Sequence, residues 1–182
     1  MPDPDQNIIA DLRDENKRDL AFHVLVKTYQ ERLYWHIRKI VMNHDDTDDI
    51  LQNTFMKVWR NIDKFREESS LYTWLYRIAT NESISFLNSK KKKHMMALSE
   101  DSDYLVENLR SDPYYSGDDI QMKLQEAILR LPEKQRLVFN MKYFDELKYD
   151  DMSQILDTSV GALKASYHHA TKKIEEYLKN TD

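Results

Sequence analysis

Two glycines and four prolines in 182 residues leave few places for tight turns or strand reversals. A sheet protein of this size needs more of both. Leu, Lys, Glu, Asp and Ile are plentiful instead, so the chain reads as all-α. The absence of cysteine removes any disulfide framework or thiolate zinc site and fits a reducing, cytoplasmic compartment. The N-terminal stretch is acidic and lacks an apolar core. No later run approaches the roughly 18 apolar residues of a membrane helix, so a soluble, unsecreted protein is expected.

The formal net charge of -5 argues against a protein that coats nucleic acid unaided, because nonspecific affinity comes from cations neutralising phosphates. The charge is segregated, however. Residues 57–93 hold nine Lys and Arg against four acids, whereas residues 99–119 hold seven acids against Arg110 alone. A basic working surface and an acidic connector are the expected reading. The connector is poor in periodicity and rich in acids and serines. It divides the chain into an N-terminal extension at 1–17, a helical domain at 18–94, a flexible acidic linker at 95–119 and a second small helical domain at 120–182.

In the first domain, Phe22, Leu25, Val26, Tyr29, Leu33, Ile37 and Ile40 mark one amphipathic helix, and Leu51, Phe55, Val58 and Ile62 mark another. The second helix carries a polar strip opposite its stripe, including Asp49, Gln52, Asn53, Met56 and Arg60. Taken alone, that strip reads first as a solvated face and second as an interface. A third helix is predicted to start from a cap at Ser69 or Ser70 and to run through LYTWLYRIATNESISFLNSKKKK. Tyr72, Trp74 and Tyr76 alternate on it, and a helix turns about 100° per residue, so at least one aromatic faces outward. With Arg77, Asn81 and Lys90 to Lys93 downstream, the helix is either a tryptophan core with a solvated tail or a surface that stacks bases and meets phosphates.

In the second domain, Ile120, Leu124, Ala127, Ile128 and Leu131 predict a short helix, and Pro132 sits at the first turn of the next. A helix over 149–156, the turn Asp157-Thr158-Ser159 and a further helix capped by Ser159 outline a helix-turn-helix. On the last helix Val160, Leu163, Tyr167, Ala170, Ile174 and Leu178 form the inner stripe. Gly161, Ala165, His168, His169 and Lys172 face outward with Lys164 on the flank, which suits a major-groove helix. A plain antiparallel helix pair has the same periodicity.

Two runs narrow these alternatives. DDTDDILQNTFMKVWRNIDKFREESSLYTWLYRIATN, residues 45–81, resembles the second conserved region of the extracytoplasmic-function sigma factors, and LPEKQRLVFNMKYFDELKYDDMSQILDTSVGALKASYHHATKKI, residues 131–174, resembles their fourth region. The resemblance implies a subunit that binds core RNA polymerase, recognises the minus-thirty-five and minus-ten promoter elements and promotes melting, with no catalytic residue, cofactor, metal or small-molecule substrate. It implies that Asp48, Asp49, Gln52, Asn53 and Met56 dock on the clamp coiled coil of the polymerase's largest subunit. It assigns Arg66, Ser69, Ser70, Tyr72 and Trp74 to the unpaired minus-ten strand, and Arg77 and Asn81 to the adjoining duplex. It assigns Arg136 to the DNA backbone, and Lys164, Ala165, His168, His169 and Lys172 to the face that meets the minus-thirty-five element.

The resemblance further implies an anti-sigma factor, in many members membrane-bound, and a linker that is disordered in the free protein and threads the polymerase when bound. The chain departs from the commonest pattern at Ser166 and His169, where many relatives carry arginine, and at Ser153 and Asp157, where they carry a small residue. Its promoter sequence is therefore not transferable from a relative. A stand-alone helix-turn-helix regulator leaves 45–81 without a purpose, and a protein-only adaptor leaves the outward aromatics and the lysine run incidental. An enzyme is the poorest fit, since no pocket motif accompanies the acids or the paired histidines.

Overall fold

The computed structural model describes residues 4–93, 101–115 and 117–181. Among them are nine α-helices and no strand: α1 (Pro4–Arg13), α2 (Arg18–Val41), α3 (His44–Asn61), α4 (Leu71–Lys93), α5 (Asp101–Ser111), α6 (Asp119–Leu129), α7 (Glu133–Tyr143), α8 (Tyr149–Leu156) and α9 (Val160–Asn180), with a 3-10 turn at Ile62–Lys64.

Helices α2, α3 and α4 pack pairwise around a common core because each has one continuous apolar stripe. On α2 that stripe is Ala21, Leu25, Tyr29, Leu33, Ile37 and Ile40, all buried. The helix ends where Met42 takes a left-handed conformation (φ 56°) and donates its N–H to the Arg38 carbonyl. Asn43 then caps α3, accepting the Asp46 N–H at 2.9 Å. Ile50, Phe55, Val58 and the following Ile62 face α2 and α4.

The N-terminal extension is not a plain tail. Ile8, Ile9 and Leu12 bury one side of α1 on α2, and Tyr29 donates its hydroxyl to Asp5 at 2.5 Å. Three apolar residues scattered among acids are a faint periodic signal, too weak to mark a helix within the expected extension.

The linker differs from its expectation as well. Residues 94–100 and 116 lie outside the described residues, but 101–111 form α5. Leu105, Val106, Leu109 and Tyr115 join Met42 and Leu129 in a small core of their own. A buried ion pair between Arg38 and Asp112 and an exposed one between Arg110 and Glu126 (2.8 Å) tie the segment to both domains. Asp103 and Glu107 are exposed on the outer side of α5, and the acidic composition masked the stripe.

Helices α6 to α9 form the second domain, around Ala127, Ile128, Leu131, Phe139, Ala170 and Ile174. Asp118 caps α6 through the N–H groups of Ile120 and Gln121. Ile120, expected in the stripe, is 81% exposed, while Met122 in the same turn packs on the α5 core. The domains do not stand apart: α8 packs on α4, and Leu137, Val138, Met141, Leu147, Met152 and Ile155 belong to the same apolar cluster as Leu71 and Leu75.

Candidate nucleic-acid interface

The site is built around the loop that leads into α4. Phe65 is buried and its ring packs on Trp74 with centroids 4.9 Å apart. Glu67 takes a left-handed conformation (φ 58°), which a residue with a Cβ adopts at a cost. Arg13 of α1 holds this shape, donating to the Phe65 carbonyl at 2.9 Å and pairing with Glu67 at 2.6 Å. Ser70 caps α4, its Oγ accepting the Thr73 N–H at 3.1 Å, as predicted.

The loop and the first turns of α4 form one wall of a cleft of about 590 Å³, lined by Lys64, Phe65, Arg66, Ser69, Trp74 and Arg77. The opposite wall is Ser153, Gln154 and Asp157, from α8 and the turn that follows it. The fold thus brings four of the predicted single-strand and duplex contacts, Arg66, Ser69, Trp74 and Arg77, to one place. It adds Lys64, which sequence reasoning did not single out, and Phe65, the first residue of the loop that leads into α4.

Tyr72 does not join them. It turns toward α2, where the Arg32 guanidinium lies 4.0 Å from its ring centroid, and the ring of Tyr76, one turn on along α4, lies 4.3 Å away. Burial pushes its phenol above the ordinary range, so it is a neutral part of the wall of the core. Asn81 is exposed one turn beyond Arg77. In the lysine run, Lys90 donates to Asp46 at 2.6 Å and to the Tyr104 hydroxyl at 2.9 Å, while Lys91 lies 3.5 Å from Glu133. Burial disfavours the Lys90 charge, but those two bonds outweigh it and its pKa is raised. Lys92 and Lys93 are exposed.

On α3, Asp48, Asp49, Gln52, Asn53 and Met56 all reach solvent, with Met56 45% exposed. A lone flexible thioether within a polar strip suits a contact that must adapt to a partner. His44 lies 3.4 Å from Asp48 at the head of the strip.

The helix-turn-helix stands as predicted. Asp157 takes the left-handed conformation that ends α8, and Ser159 caps α9 by accepting the Ala162 N–H at 3.3 Å. Leu163, Ala170 and Ile174 are buried, while Lys164, Ala165, His168, His169 and Lys172 are all exposed along one arc. Arg136 departs from its expected role at the DNA backbone. It is 4% exposed and donates to the Leu129 carbonyl at 3.2 Å, holding the end of α6 against α7.

Two family profiles match the chain in order: Sigma-70 region 2 over residues 25–93, and Sigma-70 region 4 over residues 121–174. Over 168 residues the chain is 29% identical to the ECF RNA polymerase sigma factor SigW of Bacillus subtilis, covering 88% of this chain and 90% of that protein. The chain belongs to the extracytoplasmic-function sigma factors. The first profile ends where α4 ends, and the second begins within α6, so α5 lies between the two sigma regions. The fold of this sigma-family chain is also that of the sigma factor RpoE co-crystallised with the anti-sigma factor NepR from Bartonella quintana. There the TM-score is 0.67 at 22% identity, covering 87% of this chain and 96% of that one. CnrH in complex with the cytosolic domain of CnrY is similar in fold too, with a TM-score of 0.73 at 20% identity over 99% of this chain and 100% of that one.

Proposed function

We propose that the chain is an alternative sigma factor that binds core RNA polymerase, recognises the minus-thirty-five and minus-ten elements and promotes promoter melting for transcription initiation. The observation that carries this reading is the pairing, on one chain, of two different nucleic-acid surfaces. The outward arc of α9 is shaped for duplex DNA, and the loop and first turns of α4 offer a single strand an aromatic ring and several cations.

In this reading Lys164, Ala165, His168, His169 and Lys172 meet the minus-thirty-five element. Arg66, Ser69 and Trp74 hold the unpaired minus-ten strand, and Arg77 and Asn81 follow the adjoining duplex. Extruding a base costs a few kcal/mol, which stacking on Trp74 and a fitted loop can offset. Melting then draws on binding energy and needs no catalytic side chain. The α3 strip from Asp48 to Met56 docks on the clamp coiled coil of the polymerase, and the polymerase offsets the shortage of cations that the net charge of -5 imposes. An anti-sigma factor is the expected controlling partner, and the cytoplasm is the expected compartment. No helix among the described residues is long and apolar enough to cross a membrane.

Reconstituted, promoter-selective transcription tests the reading. Purified chain with core polymerase is expected to initiate from a defined set of promoters, and Lys164→Ala is expected to weaken promoter capture without loss of core binding. Sequence-specific DNA binding at ordinary salt with no effect of core polymerase would favour a stand-alone regulator and end the proposal.

A further inference from the structure

Helix α8 lies against the start of α4, and one carboxylate closes the contact. Asp145 sits in the corner between α7 and α8, a tight turn in which Glu146 is left-handed (φ 52°) and the Leu147 N–H returns to the Met141 carbonyl at 3.0 Å. Its side chain reaches out of its own domain to α2. There Lys39 pairs with one carboxylate oxygen, and His36 Nδ1 donates to the other at 3.3 Å. The Thr80 hydroxyl of α4, which donates to the Tyr76 carbonyl at 2.7 Å, lies 2.7 Å from His36 Nε2 and packs the ring in place. The side chains of His36, Asp145 and Lys39 are only 1%, 9% and 13% exposed, so all three have given up most of their water to this junction. Such a cluster favours closure only while it is complete, because removing one partner leaves the others desolvated and uncompensated.

What the junction holds in place is the second wall of the strand cleft. Ser153, Gln154 and Asp157 form its second wall, and the Thr73 hydroxyl donates to Asp151 at 3.4 Å beside it. A nucleic-acid strand approaching Arg66, Ser69, Trp74 and Arg77 meets a helix already seated there. Asp157 adds a second carboxylate to that of Glu68 in a cleft that also contains Lys64, Arg66 and Arg77, and so brings the sign of charge that a phosphate brings.

We infer that the helix-turn-helix domain is an internal occupant of the strand-capture cleft, latched by Asp145 onto His36 and Lys39, so that the unbound chain is closed to single-stranded DNA. The inference rests on the strand-capture reading above, and its test separates the two.

The full-length chain carries the test. Small-angle scattering reports closure without reference to nucleic acid, and a fluorescein-labelled, random-sequence single-stranded DNA reports access to the cleft. Asp145→Ala is expected to increase the radius of gyration and to tighten binding of the labelled strand about tenfold or more, since the charges left behind oppose closure. Adding Trp74→Ala is expected to remove that gain. Because a buried-site variant can also loosen a fold, a second variant places cysteines at Thr73 and Asp151 in a chain that has none. Oxidation is expected to abolish strand binding and reduction to restore it.

A folded Asp145→Ala chain with an unchanged scattering curve overturns the latch. Expansion without tighter strand binding, in a variant that still opens promoters with core polymerase, overturns the occlusion, as does an oxidised double-cysteine chain that binds the strand undiminished. Expansion in a chain that supports no transcription with core polymerase, altered or not, sinks the sigma reading and leaves the latch standing.

Discussion

Replacing Trp74 by alanine separates the strand-capture role from the structural one. The ring is half-buried and packs on Phe65 at 4.9 Å, an aromatic pair that contributes about 0.5–1.5 kcal/mol beyond its area. For a chain of this size, 1 kcal/mol corresponds to a shift of roughly 2–4 °C in Tm, so Trp74→Ala is expected to melt a few degrees early. Stacking of a base on an aromatic contributes about 1–3 kcal/mol, or roughly 5- to 150-fold in occupancy of the opened promoter. The effect on opening is therefore much larger than the effect on stability. A 2-aminopurine reporter in the nontemplate strand measures opening, and anisotropy of labelled chain measures core affinity. Trp74→Phe keeps a stacking face and is expected to retain most of the opening. Core affinity should not change, because the α3 strip lies apart from the cleft. Opening that survives Trp74→Ala, or that falls only in proportion to core affinity, would refute the assignment of this ring to the strand.

Further outcomes follow from the same geometry. Burial, opposed in part by Asp145, lowers the His36 pKa, and the bonds from His36 and Lys39 lower that of Asp145 despite its burial. An opened chain therefore binds a proton at His36 below its ordinary value of 6.5, and at Asp145 below 3.8, before the closed chain does. Closure should be complete above 6.5 and weaken as the pH falls from there, by up to about 1.4 kcal/mol per unit per proton. Scattering at pH 8 and pH 5 checks the sign, and a chain that opens as the pH rises contradicts it. Arg13→Ala removes the brace on the Phe65 to Ser70 loop; with its ion pair largely exposed, it should cost about 1 kcal/mol in thermal unfolding and reduce promoter opening more than core binding. Leu109→Ala cuts a fully buried side chain from the α5 core and should cost about 2–5 kcal/mol in that unit, seen as earlier proteolysis within 101–111.

The parts of this molecule that local chemistry governs were legible in its sequence. Ser70 and Ser159 announced the helices they cap, and the turn from Asp157 to Ser159 announced the helix-turn-helix, because a cap and its periodic stripe lie within a few residues of each other. The exposed arcs of α3 and α9 followed from the same periodicity. Features set by distant partners were not legible. Arg136 reads as a surface cation until the end of α6 is seen to need its guanidinium. Tyr72 was legible as an aromatic but not as one drawn inward by Arg32 and Tyr76. His36 and Asp145 stand 109 positions apart, and no local pattern joins them. Helices α1 and α5 are intermediate cases, with real but short stripes diluted by acids.

The docking of α5 also fixes how far the two domains can travel. The minus-ten and minus-thirty-five elements are about 25 base pairs apart by their names, roughly 85 Å at about 3.4 Å per pair, whereas here the two domains touch. As a helix, the eleven residues of α5 occupy about 16 Å; drawn out, they span roughly 38 Å. The difference is rope kept on a spool. Each turn that α5 gives up lengthens the tether, so the stability of that small core of Leu105, Val106 and Leu109 is also the tension under which the two halves of the protein are reeled apart.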